Sequence, residues 1–174
     1  MDDRERRVRV EALFAAYASA VLAYARRRTD AASAEDVLGD VFVVAWRRLE
    51  EIPPDALPWL LGCARYVLRQ ARRSEARRWS LIARLAATTP SSRPPAEPGG
   101  GALAAGLAAL TDRDREALLL VAWDGLSGEQ AAKVMGCSAN AFSMRLHRAR
   151  KRLATHLDGV DEPQPRPLVE ACND

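Results

Sequence analysis

One stretch limits the fold more than any other, because it divides the chain in two. Residues 87–101 read ATTPSSRPPAEPGGG, with four prolines, three glycines and no periodic apolar residue. Proline interrupts helices and central strands, and clustered glycines add freedom, so this composition predicts a flexible or semi-extended tether. The tether separates two candidate domains, 8–86 and 102–156. The remaining residues, 157–174, are acidic and proline-rich and predict a poorly ordered tail.

Both candidate domains have the periodicity of helices, and neither has the alternation of a half-buried strand. Phe14, Tyr17 and Val21 recur on one helical face of the first domain. Ser33 is expected to cap a second helix, and Pro58 suits the first turn of a third, over 58–85. The sequence therefore predicts an all-α fold made of two small helical domains joined by a flexible linker.

The second domain has sharper helix boundaries. Gly136 and Ser138 frame a three-residue turn, GCS, between a short helix, 128–135, and a longer one that runs to 156. Helix, tight turn and helix in this order predict a helix-turn-helix. The other boundary signals are helix caps at Thr111, Gly125 and Ser127, with Gln130 completing a capping box.

Positive charge is concentrated in two blocks, although the net charge is only +3. Residues 65–78 contain six arginines and one acid, and residues 139–152 contain five cationic side chains and no acid. A helical projection places four of the first block on one stripe, with Leu60, Cys63, Val67 and Ala71 opposite. A solvated face is one interpretation. A polyanion-binding surface is favoured, because no acid relieves the repulsion. The stripe consists of Arg65, Arg69, Arg72 and Arg73.

The last helix separates into two faces. Phe142, Leu146, Ala149 and Leu153 cluster on the side expected to be buried. Polar side chains centred opposite a buried face, with cations at the edges, are typical of a recognition helix in the major groove. An ordinary surface helix with basic flanks is the alternative. The outward set is Asn140, Ser143, Met144, His147, Arg148 and Lys151, flanked by Arg145, Arg150 and Arg152.

Several classes of function are disfavoured. The three cysteines and two histidines have no metal-ligand or disulfide spacing, which favours a reducing cytoplasm. No uninterrupted apolar run approaches about 18 residues, so no membrane insertion is expected. No nucleophile–base order or phosphate-binding glycine loop indicates an enzyme. The sequence predicts no catalytic residue, metal or cofactor.

At this point a family resemblance carries the interpretation further. The segment DRDREALLLVAWDGLSGEQAAKVMGCSANAFSMRLHRARKRL (112–153) resembles region 4 of bacterial extracytoplasmic-function (ECF) sigma factors of the sigma-70 family. SAEDVLGDVFVVAWRRL (33–49) resembles their region 2.2, and PWLLGCARYVLRQARRSEARR (58–78) resembles regions 2.3 and 2.4. The resemblance implies an alternative sigma factor that binds core RNA polymerase and directs it to promoters through −35 and −10 elements.

The resemblance also implies roles for individual residues. Core polymerase would bind through the clamp helices of its largest subunit to Asp36, Gly39, Asp40, Val43 and Arg47. The −10 element would be bound by Ile52, Leu57, Trp59, Arg65, Tyr66, Arg69, Gln70, Arg72 and Arg73, although Trp59 is equally interpretable as a core residue. The −35 element would be bound by Asn140, Ser143, Met144, Arg145, His147, Arg148 and Lys151.

Two further partners or functions remain open. Many members of the family are held by an anti-sigma factor, so such a partner is possible here. A stand-alone helix-turn-helix regulator is the alternative function, and it would bind DNA strongly without polymerase. The sequence departs from its relatives at Gly39, where glutamine is frequent, and at Ser143, where a basic residue is frequent. The latter predicts altered reading of the −35 element.

Overall fold

A computed structural model describes residues 2–86 and 101–158, with side chains for 2–78 and 101–158. Within those ranges the chain forms seven α-helices and no strand, which confirms the all-α prediction. The predicted linker, apart from Gly101, and the tail beyond Asp158 lie outside the described residues. The helices are α1 (Asp3–Arg26), α2 (Ala31–Arg47), α3 (Ala56–Ala86), α4 (Ala102–Ala109), α5 (Asp112–Ala122), α6 (Gly128–Met135) and α7 (Ala139–Asp158).

Helices α1, α2 and α3 pack around one another and form what we call the first group. Asp2 caps α1 in a capping box with Glu5. The prediction that Ser33 caps α2 is wrong, because Asp30 is the N-cap and accepts from the backbone N–H of Ser33 at 3.0 Å. Asp30 provides the side-chain acceptor three residues earlier, so the helix begins before Ser33.

The buried face of α3 differs from the projection made on the sequence. Leu60 is buried and Cys63 is half-buried as expected, but Ala71 is exposed. Leu61, Ala64 and Leu68 are buried instead. The apolar line is therefore closer to the arginine stripe than expected, so the stripe borders the core rather than standing opposite it.

Helix α1 is long and apolar enough to cross a membrane by length and composition, with mean hydropathy 1.3 over its best 18-residue window. The core helix of a helical bundle passes the same test. Here α1 packs against α2 and α3, and Val21, Tyr24 and Ala25 are buried. Phe14, expected to be inside, is 49% exposed, although its ring contacts Phe42 edge-on at 4.8 Å.

Helices α4 to α7 form the second group. Helix α4 was not expected as a separate element, and its C-terminal carbonyls are satisfied by Arg115. That guanidinium donates to the backbone oxygens of Leu107, Ala108 and Leu110 at 2.7, 3.1 and 3.2 Å. Gly106 allows α4 to approach α7, because a Cβ there would lie 2.8 Å from Leu153 Cδ1.

The helix-turn-helix is formed by α6 and α7, as predicted. Ser127 and Gln130 form the capping box of α6. Gly136 ends α6 in the left-handed region, at φ +65°, where glycine pays no steric cost. Ser138 Oγ accepts from the backbone N–H of Ala141 at 3.2 Å and caps α7. The predicted caps at Thr111 and Ser127 and the left-handed glycine at Gly125 are likewise confirmed.

Candidate nucleic-acid interface

The outer face of α7 is exposed and basic. Phe142 and Ala149 are buried and Leu146 and Leu153 are half-buried, so the predicted inner face is confirmed. Because these four residues fix the rotation of the helix, the opposite side faces solvent. The predicted residues exposed on that side are Asn140, Ser143, Met144, His147, Arg148 and Lys151.

Two of the flanking arginines have a structural partner. Asp114, only 5% exposed, accepts a hydrogen bond from Arg152 Nη1 at 2.6 Å. Its other carboxylate oxygen lies 3.6 Å from Arg145 Nη1. Asp114 therefore ties α5 to α7 and orients both guanidinium groups at the edge of the exposed face. The predicted DNA contact of Arg145 would have to be made from this paired position.

The arginine stripe of α3 lies along a cleft between the two groups. Arg65 is half-buried, and Arg69, Arg72 and Arg73 are exposed. All four line a cavity of about 300 Å³ whose other wall includes Asp112, Arg113 and Glu116 of α5. Arg72 Nη2 donates to the backbone oxygen of Arg28 at 2.9 Å. The sequence predicted the stripe but not the helix that faces it.

The predicted −10 residues before and beside the stripe are only partly brought together. A second cavity, about 700 Å³, is lined by Trp59 and Tyr66 together with Lys133 of α6. Tyr66 is exposed and its hydroxyl accepts from Gln70 Nε2 at 2.8 Å. Ile52 and Leu57 do not line this cavity, since Ile52 is buried in the core and Leu57 packs against it. Trp59 is half-buried against the same core, as both interpretations allow.

The outer face of α2 presents all the residues predicted to bind polymerase. Asp36, Gly39, Asp40, Val43 and Arg47 are exposed. Trp46, which sequence reasoning missed, is 37% exposed beside them, and its indole ring lies 5.3 Å from the Arg6 guanidinium. The signal was its place three residues after Val43. Exposed apolar side chains next to acids suit a protein interface better than a DNA interface.

Sequence reasoning also missed a cluster of charged groups between the two helix groups. Arg28 contacts Glu116 at 2.9 Å and Asp124 at 3.0 Å, and Arg27 also pairs with Asp124. Tyr24 donates to Glu116 at 2.7 Å, and burial raises the pKa of Tyr24, so its hydroxyl stays a proton donor. These partners lie about ninety residues apart in the chain, and no local pattern predicts them. We call Tyr24, Arg27, Arg28, Glu116 and Asp124 the interdomain ion cluster.

The cysteines do not form a metal or disulfide site. Burial raises the pKa of the Cys63 thiol to about 11, which keeps it protonated and unreactive near neutral pH. The expectation that Cys137 is a packed thiol is wrong, because it is exposed in the turn between α6 and α7. Cys172 lies outside the described residues. In the parts of the chain that the structure describes, no three His, Cys, Asp or Glu side chains are grouped to hold a metal ion.

A helix-turn-helix with an exposed basic face, joined to a second helical group with its own basic stripe, defines a DNA-binding transcription protein. Comparisons with known proteins make this specific. The family model for sigma-70 region 2 matches residues 13–78, and the model for sigma-70 region 4 matches residues 101–153.

Individual relatives agree with the family models. The chain is 31% identical to the ECF RNA polymerase sigma factor SigL of Mycobacterium tuberculosis over 83% of this chain and 86% of that protein. It is 33% identical to the probable RNA polymerase sigma factor RfaY of Xanthomonas campestris over 74% of this chain, but spans only 35% of RfaY. The sigma factor RpoE of Bartonella quintana, solved with the anti-sigma factor NepR, superposes with a TM-score of 0.64 at 25% identity, over 87% of this chain and 97% of RpoE. The chain therefore belongs to the ECF sigma factors of the sigma-70 family.

Proposed function

We propose that this chain is an alternative sigma factor that binds core RNA polymerase, directs it to promoters and promotes initiation. The single observation that carries the proposal is the presence of regions 2 and 4, in that order, on one chain. The protein is a non-catalytic initiation factor that acts in the cytoplasm. Its domains are region 2 (8–86) and region 4 (102–156), connected by the linker 87–101 and followed by the tail 157–174.

The −35 element is read by the outer face of α7 in the major groove. Arg148 is exposed at the centre of that face and has no acid partner among the described residues. A guanidinium fork fits the O6 and N7 acceptors of guanine. His147 and Met144 lie beside it, and Lys151 reaches the backbone. Ser143 replaces the frequent basic residue, so this protein prefers a different base at that position.

The −10 element is bound as a single strand along α3. The arginine stripe holds phosphates, and the exposed ring of Tyr66 offers a stacking surface for a base. Trp59 and Tyr66 border the larger cavity, which suits a base turned out of the stack. Ile52 and Leu57 support this site from the core side.

Core polymerase and an anti-sigma factor are the proposed protein partners. Polymerase clamp helices dock on the outer face of α2, where Asp36 and Asp40 lie one turn apart beside Val43. A partner of the kind that NepR is for RpoE would compete for the same exposed surfaces. In vitro transcription with core polymerase on genomic fragments tests the function. Strong sequence-specific binding by the free chain, with no dependence on core, would favour a stand-alone regulator instead.

Asp40→Arg is expected to abolish co-purification with core polymerase. The substitution places a cation on the exposed acidic face of α2 and reverses its charge at the proposed interface. Pull-down of tagged protein with core enzyme measures the effect. Glu35→Arg is the matched control, because Glu35 is also exposed on α2 but lies off that face, near Arg26 at 3.6 Å. Equal co-purification of both variants would discard the assigned interface.

Arg148→Ala is expected to weaken promoter binding by about 1–3 kcal/mol and to relax base preference at one position of the −35 element. Core binding should not change, because α7 is remote from the outer face of α2. Transcription from promoters randomised at the −35 element measures both effects. Arg150→Ala, an exposed flanking cation, serves as the control and should weaken all sequences alike. A variant Arg148→Ala with unaltered base preference would show that another residue reads the element.

A further inference from the structure

The first and second helix groups are held together by buried charges. The Arg28 side chain is only 6% exposed, and its partner Asp124 is 2% exposed. Arg28 also donates to the backbone oxygen of Tyr24 at 2.9 Å, and its guanidinium stacks 3.6 Å from the centre of the Tyr24 ring. Every described buried side-chain donor and acceptor has a partner. The cluster therefore meets the condition under which buried ion pairs resist separation.

An apolar seam extends the same contact. Helices α3 and α6 lie against each other, and a single hydrophobic cluster runs from Ile52 and Leu60 of the first group to Leu126 and Phe142 of the second. Gln130 Nε2 donates to Asp55 Oδ2 at 3.1 Å at the edge of the seam. Buried apolar surface and paired charges together favour a closed arrangement of the free chain.

Closure covers one proposed DNA surface and leaves the other open. The arginine stripe faces Asp112 and Glu116 of α5 across the smaller cavity, so acids occupy the space that strand phosphates would need. Lys133 of α6 forms part of the wall of the cavity beside Tyr66. The outer faces of α7 and α2 remain exposed.

The closed chain is also too short to hold both promoter elements at once. Elements near −35 and −10 lie about 25 base pairs apart, or roughly 85 Å along a duplex at 3.4 Å per step. A compact chain of 174 residues has a radius of gyration of about 16 Å. The stretch between Ala86 and Gly101 can reach roughly 50 Å if fully extended, which permits the groups to separate without breaking either one.

We propose that the second helix group is an internal cover of the −10 surface. This inference rests on the proposed function of the stripe. In the closed chain α7 is available to duplex DNA and α2 to polymerase, while the acidic edge of α5 excludes the single strand from α3. Polymerase that binds the two groups at separated positions shifts the population to the open form, since it favours that form by its differential affinity. The −10 surface is thereby exposed only after docking.

Asp124→Arg tests the cover, because it places a cation against Arg27 and Arg28. Glu129→Arg is the matched control: it makes the same charge change in the same helix group, at an exposed residue with no ion pair in the described ranges. Small-angle scattering of the full chain should show expansion for Asp124→Arg alone. Its affinity for a labelled single strand of mixed sequence should rise about tenfold over the control, as expected if the open form is roughly a tenth of the wild-type population.

The outcomes separate the cover from the function on which it rests. Expansion without a gain in single-strand affinity over Glu129→Arg would overturn the cover, as would a compact Asp124→Arg chain that binds like wild type. Asp124→Asn, which removes the pairing without adding a cation, should give the same changes to a smaller extent if Asp124→Arg fails to fold. If the gain survives Arg65→Ala and Arg69→Ala, the stripe is not the strand-binding surface and the cover is discarded. Transcription with core polymerase by the wild-type chain tests the sigma function independently.

Discussion

Replacing Phe142 with alanine is expected to cost about 3–5 kcal/mol of folding free energy, because it empties a large, fully buried site. Phe142 is 1% exposed and belongs to the same apolar cluster as Ala131 and Val134 of α6. It is therefore the anchor that fixes α7 on the helix-turn-helix. Losing it should release the recognition helix and abolish −35 binding through loss of structure rather than loss of a contact.

Chemical denaturation followed by circular dichroism measures this effect. Met144→Ala is the control, since Met144 lies two residues away on the same helix and is 57% exposed. We expect that substitution to change the free energy of unfolding by no more than about 0.5 kcal/mol. Phe142→Leu should restore most of the lost stability, because it refills most of the volume. If Phe142→Ala were as stable as Met144→Ala, the assignment of the buried face of α7 would be wrong.

The local structure of the second group could be predicted because its signals are local. Thr111, Ser127 and Ser138 each present a side-chain acceptor to a backbone N–H three residues on, and Gly136 adopts a positive φ that other residues avoid. The burial of Phe142 and Ala149 follows from the helical repeat alone. The rotation of α7, and hence the exposed face, was thus available from the sequence.

Elsewhere the sequence was ambiguous. Asp30 and Ser33 are both good N-caps, and spacing alone does not decide between them. Helix α4 has an almost uniformly apolar sequence, ALAAGLAA, so it has no amphipathic period to detect. It is held by Arg115 and by the close approach to α7 at Gly106. The buried line of α3 was misplaced for a related reason: Leu60, Leu61, Ala64 and Val67 are all apolar, and only tertiary packing selects among them.

The arrangement of the two groups could not be predicted at all. The interdomain ion cluster joins residues 24–28 to residues 116–124, and the side chains involved are ordinary charged residues of helix ends and turns. Nothing in their own sequence neighbourhoods marks Arg28 as buried. The stripe on α3 was read as a free DNA surface for the same reason, since the acids that face it lie beyond the linker.

Replacing Arg28 with alanine is therefore expected to have the largest effect on how the two groups associate. It leaves Glu116 and Asp124 without their shared cation, and removing one partner of a buried ion pair costs about 3–5 kcal/mol. Denaturation should change from one transition to two, as the groups lose their mutual support. Arg26→Ala is the matched control, because Arg26 is on the same helix but forms only an exposed pair with Glu35, worth about 0–1 kcal/mol.

A double-mutant cycle shows whether the cost belongs to the ion cluster. Once Arg28 is alanine, Asp124→Asn should cost little more, because the charge that made Asp124 favourable is already gone. Arg28→Lys should be intermediate, since one ammonium group cannot reproduce the guanidinium fork that contacts Glu116 and Asp124 together. Should Arg28→Ala cost no more than Arg26→Ala, the buried charges do not hold the groups together. The internal cover would then depend on the apolar seam between α3 and α6 alone.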